Sequence, residues 1–299
     1  MKILVTGAKG QLGWELMRRG GEKGLAVIGV DLPEVDLCDA AQVAATMETV
    51  RPRLVINAAA YTNVDGAESD RERCHLVNEK VPARLAIACR EAQIPLIHIS
   101  TDFVFHAPRT DPWDENAPVS PEGVYAESKA AGEAAVRAEL AEHLIVRTAW
   151  LYGIRGKNFV KTMLTLARDR EEIGVVADQL GCPTFAGDLA DVLLTMAVKL
   201  RTEAPPAWGT YHFCGGGSTT WHGLAEAAIN LARDKGIAFK LRRINALTTA
   251  DYPTPAVRPT YSVLDCGKIE GALAIAIAPW ETTLQAVMDD LIAAWEAGL

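Results

Sequence analysis

The chain has 299 residues, of which 49% are hydrophobic and 23% charged, and a formal net charge of −8. That length suits one large α/β domain or a domain with a smaller lobe. No apolar run approaches the roughly 20 residues of a membrane helix, and an acidic chain without clustered Lys and Arg argues against a nucleic-acid partner. The six cysteines (Cys38, Cys74, Cys89, Cys182, Cys214, Cys266) lie far apart with no C-x-x-C pair, which reads as reduced structural thiols. The start passes straight into a glycine motif with no room for a signal peptide, so the expected location is the cytoplasm.

In chain order, apolar β-rich runs at Lys2–Thr6, Ala26–Asp31, Leu54–Asn57, Pro95–Ser100 and His143–Thr148 alternate with helical stretches. The helices expected are Gly10–Gly20, Asp39–Val50 with Asp39 as its cap, Val81–Ala92 with Pro82 in its first turn, and Tyr125–Glu142. This alternation predicts an α/β fold: a Rossmann-type doubly wound parallel sheet. Past Thr148 the rhythm changes and aromatic and proline residues gather, with amphipathic helices at Leu189–Lys199, Thr220–Lys235 and Thr282–Ala297. We therefore expect a dinucleotide-binding domain over 1–151 and a smaller C-terminal substrate-binding lobe over 152–299, with a segment at about 177–200 returning to the first. Thr110–Pro121, rich in Pro, Asp and Asn, reads as an exposed loop.

Gly7-x-x-Gly10-x-x-Gly13 follows a short strand and opens a helix, the context a dinucleotide fingerprint requires. It permits a tight turn, close backbone approach to the pyrophosphate and close helix–strand packing, with the anion at the helix amino terminus and Gln11 and Leu12 in the cofactor site. Asp31, ending the second strand, is placed to bind the adenosine ribose and by itself favours NADH, although Lys9 in the loop is within reach of a 2′-phosphate. Asp36 and Leu37 are expected to flank the adenine. The small-residue run Ala58-Ala59-Ala60-Tyr61 closes the third strand and lets the chain pass close to the nicotinamide half.

Ser100-Thr101-Asp102 ends the fourth strand on the same edge, where Thr101 offers a hydroxyl to a carbonyl. Tyr125 and Lys129 stand four apart, on one helical face. The ammonium is expected to lower the phenol toward neutrality so that Tyr125 exchanges a proton with the substrate oxygen, and to hold ribose hydroxyls. The histidines are scattered and offer no nucleophile set.

These residues resemble the extended short-chain dehydrogenase/reductase family, and within it the branch that reduces dTDP-linked 4-keto-6-deoxyhexoses. The resemblance is carried by GAKGQLGWEL at Gly7–Leu16, INAAAYTNVDGAE at Ile56–Glu68, STDFVF at Ser100–Phe105, VYAESKAAGE at Val124–Glu133, VRTAWLYG at Val146–Gly153, DQLGCPT at Asp178–Thr184 and RPTYSVLD at Arg258–Asp265. It implies Thr101, Tyr125 and Lys129 as the catalytic three, NADPH or NADH as cofactor, and a dTDP-sugar as substrate. It further implies that Thr62, Val64, Asp102, Phe103 and Trp150 join Thr101 and Tyr125 around that sugar nucleotide, with Arg258 near the diphosphate. The implied reaction is reduction of dTDP-4-dehydro-6-deoxy-L-mannose to dTDP-L-rhamnose for cell-surface polysaccharide. Some members of the branch dimerise around Mg2+ held by acidic side chains. Here Glu15 and Asp290 match two of those positions, but Gly187, followed by Asp188, stands at the third, so no metal ligand is assigned and a monomer or a homodimer is expected.

Two alternatives use the same scaffold. A dehydratase would follow the threonine with Asp-Glu, whereas Thr101-Asp102 precedes Phe103; an epimerase would retain its cofactor through each cycle. A non-catalytic, cofactor-binding regulatory subunit would be free to lose its proton donor, yet Tyr125 and Lys129 are both present.

Overall fold

The computed structural model describes residues 1–202 and 205–299. Its first half alternates strand and helix: β1 (Lys2–Thr6), α1 (Gln11–Glu22), β2 (Ala26–Val30), α2 (Ala40–Val50), β3 (Leu54–Asn57), the short α3 (Val64–Ala67) and α4 (Arg71–His75), α5 (Val81–Ala92), β4 (Leu96–Thr101), α6 (Val124–Glu139) and β5 (His143–Thr148). A π-helical turn at Leu76–Lys80 joins α4 to α5. The second half runs β6 (Leu151–Tyr152), α7 (Phe159–Asp169), β7 (Glu172–Val176), β8 (Leu180–Gly181), β9 (Thr184–Phe185), α8 (Ala186–Lys199), β10 (Gly209–His212), β11 (Thr219–Thr220), α9 (Trp221–Asp234), β12 (Arg243–Leu247), α10 (Gly267–Leu273) and α11 (Trp280–Glu296).

Six strands form one sheet in the order β2-β1-β3-β4-β5-β10, and every pairing in it is parallel. Because strand side chains alternate, Ile3 and Val5 enter one core with Leu12 and Leu16 of α1 and Leu189 and Leu193 of α8. Leu4 enters the opposite core with Ala86 and Cys89 of α5 and Val136 of α6. Both faces are thus covered, as a parallel sheet requires; each fully buried leucine contributes about 1.5–3 kcal/mol. The helix starts follow local chemistry: Asp39 accepts a hydrogen bond from the Ala41 N–H, and Pro82 sits in the first turn of α5.

The second half builds a core of its own from α7, α9 and α11, where Leu164, Ala228, Leu284, Met288 and Leu291 meet. Two of its segments return to the main sheet: α8 lies against α1, and β10 adds the sixth strand beside β5. The second return is absent from the sequence expectation, since Gly209-Thr-Tyr-His is only four residues long and lacks an apolar run. The Thr110–Pro121 loop also differs from its reading as exposed, because Trp113 is buried and stacks on Phe105 at 4.6 Å. No described helix is long and apolar enough to cross a membrane.

With β2 alone on one side of β1, the strand order reverses between β1 and β3, and ligands of such sheets bind beyond the carboxyl ends of the strands at that point. The loops after β1, β3 and β4 converge there.

Candidate active site

The glycine loop is shaped first by the protein's own backbone. Gly7 has φ +69°, and a Cβ there would lie 2.7 Å from the Ala59 backbone; a Cβ on Gly13 would lie 2.0 Å from the Gly7 carbonyl. These two glycines let β1, β3 and α1 meet closely enough to form a cradle. Gly10, the residue before α1, donates its N–H to the Gly7 carbonyl and has no side chain to cap the helix. The first-turn N–H groups of α1 therefore have no side-chain cap and suit an anion such as a pyrophosphate. The Leu12 side chain lies in the core, which leaves only its backbone facing the loop. The Gln11 side chain is likewise engaged, its Oε1 accepting from Asn158 Nδ2 at 3.1 Å.

Beyond β2, the Asp31 carboxylate accepts from the Lys9 N–H and the Leu32 N–H, each at 2.8 Å. Lys9 Nζ turns to Glu34, 2.6 Å away, and to the Leu32 carbonyl. The end of the cradle expected to hold the adenosine thus presents two carboxylates and one cation. Asp36 accepts from the Cys38 N–H, while Leu37 lies against the small cluster of Val43, Val81 and Leu85.

Two asparagines outside the expected site set hold the third-strand loop. Asn57, fully buried, accepts from Thr6 Oγ1 at 2.6 Å and from the Ala59 N–H, and its Nδ2 donates to His98 Nδ1. Burial keeps His98 well below its ordinary pKa, so the ring is neutral and can accept. Asn78 accepts from the Tyr61 N–H and donates to the Tyr61 carbonyl and to Ser128 Oγ. Ala58, Ala59, Ala60 and Tyr61 are thereby clamped between β1 and α6. A buried amide that satisfies several backbone groups gives no periodic signal in sequence, which is why both were missed.

Thr101, at the end of β4, donates to Asp102 Oδ1 at 3.0 Å and accepts from the Phe103 N–H. Tyr125 lies in the first turn of α6, edge-on to Phe103 with ring centroids 5.5 Å apart. Lys129, one turn later and 3% exposed, donates to the Ile99 carbonyl at 2.7 Å. The expected lowering of the Tyr125 phenol does not occur in the protein alone. Burial pushes the phenol up, with only the Thr101 hydroxyl opposing. The Lys129 amine, itself lowered to about 8 by burial, is held by the Ile99 carbonyl instead. A phenol kept protonated is a proton donor, which suits reduction. Behind Lys129, Glu133 receives both arms of Arg147 at 2.7 and 2.8 Å. Asp102 has no such support: it is 2% exposed, Oδ2 has no hydrogen-bond partner, and burial pushes the carboxyl up to about 6.

On the substrate side, Thr62 is exposed and Val64 half-buried at the start of α3. Arg258 reaches this helix, pairing with Asp65 at 2.8 Å. Trp150 has φ +46° and is stacked 3.5 Å from Trp221, while a Cβ on Gly181 would lie 2.3 Å from its ring. One face of Trp150 is therefore occupied by Trp221, which Gln179 fixes through Nε1. The pairing of two tryptophans 71 positions apart has no local signature.

The described residues include no group of three or more His, Cys, Asp or Glu placed to hold a metal ion. At the positions named for Mg2+, Glu15 Oε2 is taken by Arg18 and Arg19 while its buried Oε1 has no hydrogen-bond partner, Gly187 has no side chain, Asp188 accepts from Thr283 and Asp290 is exposed. These donors do not fit a divalent cation.

A family profile described as RmlD substrate binding domain spans residues 1–293. The dTDP-4-dehydrorhamnose reductase of Escherichia coli K12 is 40% identical over 295 residues, covering 97% of this chain and 98% of that one. The crystal structure of a Clostridium acetobutylicum dTDP-4-dehydrorhamnose reductase superposes with a TM-score of 0.90 at 35% identity, covering 98% of this chain and all of the other. That of the Bacillus anthracis dTDP-4-dehydrorhamnose reductase in complex with NADP gives 0.86 at 31% identity, covering 99% of each. A glycine cradle, a hydroxyl, phenol and amine at one sheet edge, and these full-length likenesses agree: the chain belongs to the RmlD family, that of the dTDP-4-dehydrorhamnose reductases.

Proposed function

We propose that the protein reduces the 4-keto group of dTDP-4-dehydro-6-deoxy-L-mannose to dTDP-L-rhamnose with NADPH or NADH, and so supplies rhamnose for cell-surface polysaccharide. The observation that carries the reading is the placement of Thr101, Tyr125 and Lys129 at the carboxyl edge, next to the glycine cradle. When bound, the reduced nicotinamide supplies hydride to the sugar C4. Tyr125 gives its phenolic proton to O4 as the C–H bond forms. Thr101, tied to Asp102, orients the carbonyl oxygen toward that phenol. Lys129 holds ribose hydroxyls and keeps positive charge beside the phenolate left after proton transfer. Gly7, Gly10, Gly13, Asp31, Asp36, Leu37 and the run Ala58 to Tyr61 hold the cofactor, with Gln11 and Leu12 acting through backbone N–H groups.

For the sugar nucleotide, we assign Thr62, Val64, Asp102, Phe103 and the edge of Trp150. Residues 1–151 together with 177–200 and the β10 strand form the cofactor half of this division, and the unit built from α7, α9 and α11 forms the sugar half. The protein acts in the cytoplasm as a monomer or homodimer. The test is incubation of pure protein with the dTDP-keto sugar and each reduced cofactor; oxidation of NADPH or NADH in step with rhamnose formation supports the reading. No turnover with either cofactor would remove it, and stoichiometric NAD retained through purification would favour an epimerase.

A further inference from the structure

Where α1 meets α8, the acidic side chains Glu15, Asp188 and Asp191 face the cationic side chains Arg18, Arg19 and Lys23. Arg19 is central to the cluster. Its Nε donates to Glu15 Oε2 at 2.9 Å and its Nη1 to Asp191, while the guanidinium carbon lies 5.8 Å from the Phe185 ring centre. Glu15 is 1% exposed and also accepts from Arg18 Nη2 at 2.8 Å; Lys23 pairs with Asp191 at 3.3 Å. The seat of this guanidinium is made by a missing side chain: a Cβ on Gly187 would lie 2.2 Å from Arg19 Nη2 and 2.3 Å from Phe185 Cε1. Any residue but glycine at 187 requires the guanidinium, the Phe185 ring or both to shift. A planar fork bridging two carboxylates does what a divalent ion would do for the same helix pair, without needing ion binding.

We propose that Arg19, seated over Gly187, is a built-in cation that replaces a divalent metal at the α1–α8 junction, so that folding and assembly of this chain are independent of Mg2+. The proposal is independent of the reductase reading, and its test needs no substrate. The full-length protein is melted in MgCl2 and in EDTA, titrated with Mn2+ by paramagnetic resonance, and sized in both buffers. The wild type is expected to melt within about 1 °C in the two buffers, to show no saturable Mn2+ site below millimolar concentrations, and to keep one oligomeric state. A rise of several degrees in MgCl2, or a change of oligomeric state in EDTA, overturns the proposal. Arg19→Ala leaves the carboxylates short of positive charge, so it should melt several degrees lower in EDTA, recover in MgCl2 and gain a saturable Mn2+ site. An Arg19→Ala protein that melts like the wild type in both buffers also overturns it. Should that variant fail to fold, Gly187→Ala keeps every charge and crowds the guanidinium against the Phe185 ring. A melting temperature lowered in EDTA and restored in MgCl2 supports the proposal, and one unchanged in both buffers, or lowered equally in both, contradicts it.

Discussion

Two buried carboxylates close to the candidate site, Glu133 and Asp102, are treated in opposite ways. Glu133, under Lys129, pays the upward push of burial yet is held at about 2 by the hydrogen-bonded, charged guanidinium of Arg147, with Arg137 adding a further contact. Asp102 has the Ser262 and Thr101 hydroxyls but no cation, and burial outweighs them and takes it up to about 6. The first is a finished ion pair whose negative charge favours the charged form of Lys129. The second is a carboxyl with an unmet oxygen, the condition expected where a ligand hydroxyl completes the set. The difference separates the scaffold of the site from its working surface.

Removing Arg147 should have the largest effect. Arg147→Met leaves Glu133 buried with only the half-exposed Arg137, and breaking a buried pair in this way costs about 3–5 kcal/mol. Denaturant unfolding should show it; a loss under about 1 kcal/mol would mean that Arg137 suffices. Tyr125→Phe should lower kcat by roughly 100-fold, about 2.7 kcal/mol in the barrier, while leaving stability nearly unchanged. Full activity would remove Tyr125 as the donor.

The pH dependence of stability sharpens the contrast. Asp102 has an ordinary pKa of 3.8 and is raised to about 6, so the native state binds more protons and stability falls as pH rises from about 4 through 6. Glu133 is lowered from 4.5 to about 2, so its contribution is present above 4.5 and lost as pH falls through 2. Asp102→Asn should therefore match the wild type at pH 4 and exceed it by up to about 3 kcal/mol above pH 6. A pH-independent difference would contradict the buried, uncompensated carboxyl. Smallest is the effect expected at the exposed Lys9–Glu34 pair: Glu34→Gln frees Lys9 for a 2′-phosphate and should raise kcat/KM with NADPH relative to NADH a few-fold. An unchanged ratio would place the 2′ position elsewhere.

The sheet was legible because its strands are short apolar runs bounded by turn residues. β1, β3 and β5 fall where the sequence places them, and α5 matches end to end. The gathering of Thr101, Tyr125 and Lys129 at one edge was also readable, because strand ends and helix spacing are local properties. The clamps Asn57 and Asn78 were not, since apart from Ala59 the partners named for them lie between 17 and 51 positions away. The same holds for the Trp150–Trp221 stack, and for Arg19 over Gly187, where the informative fact is a side chain that is absent. For the phenol the sequence shows a nearby lysine but neither the burial that pushes Tyr125 up in the protein alone nor the Ile99 carbonyl that accepts from that lysine.

The most direct test of the account is hydride tracing. With the dTDP-keto sugar and NADPH or NADH deuterated at nicotinamide C4, one deuterium should appear at C4 of the rhamnose product for each cofactor oxidised by the wild type, and Tyr125→Phe should slow that transfer. Deuterium at another sugar carbon, or sugar conversion with no net oxidation of cofactor, would contradict it.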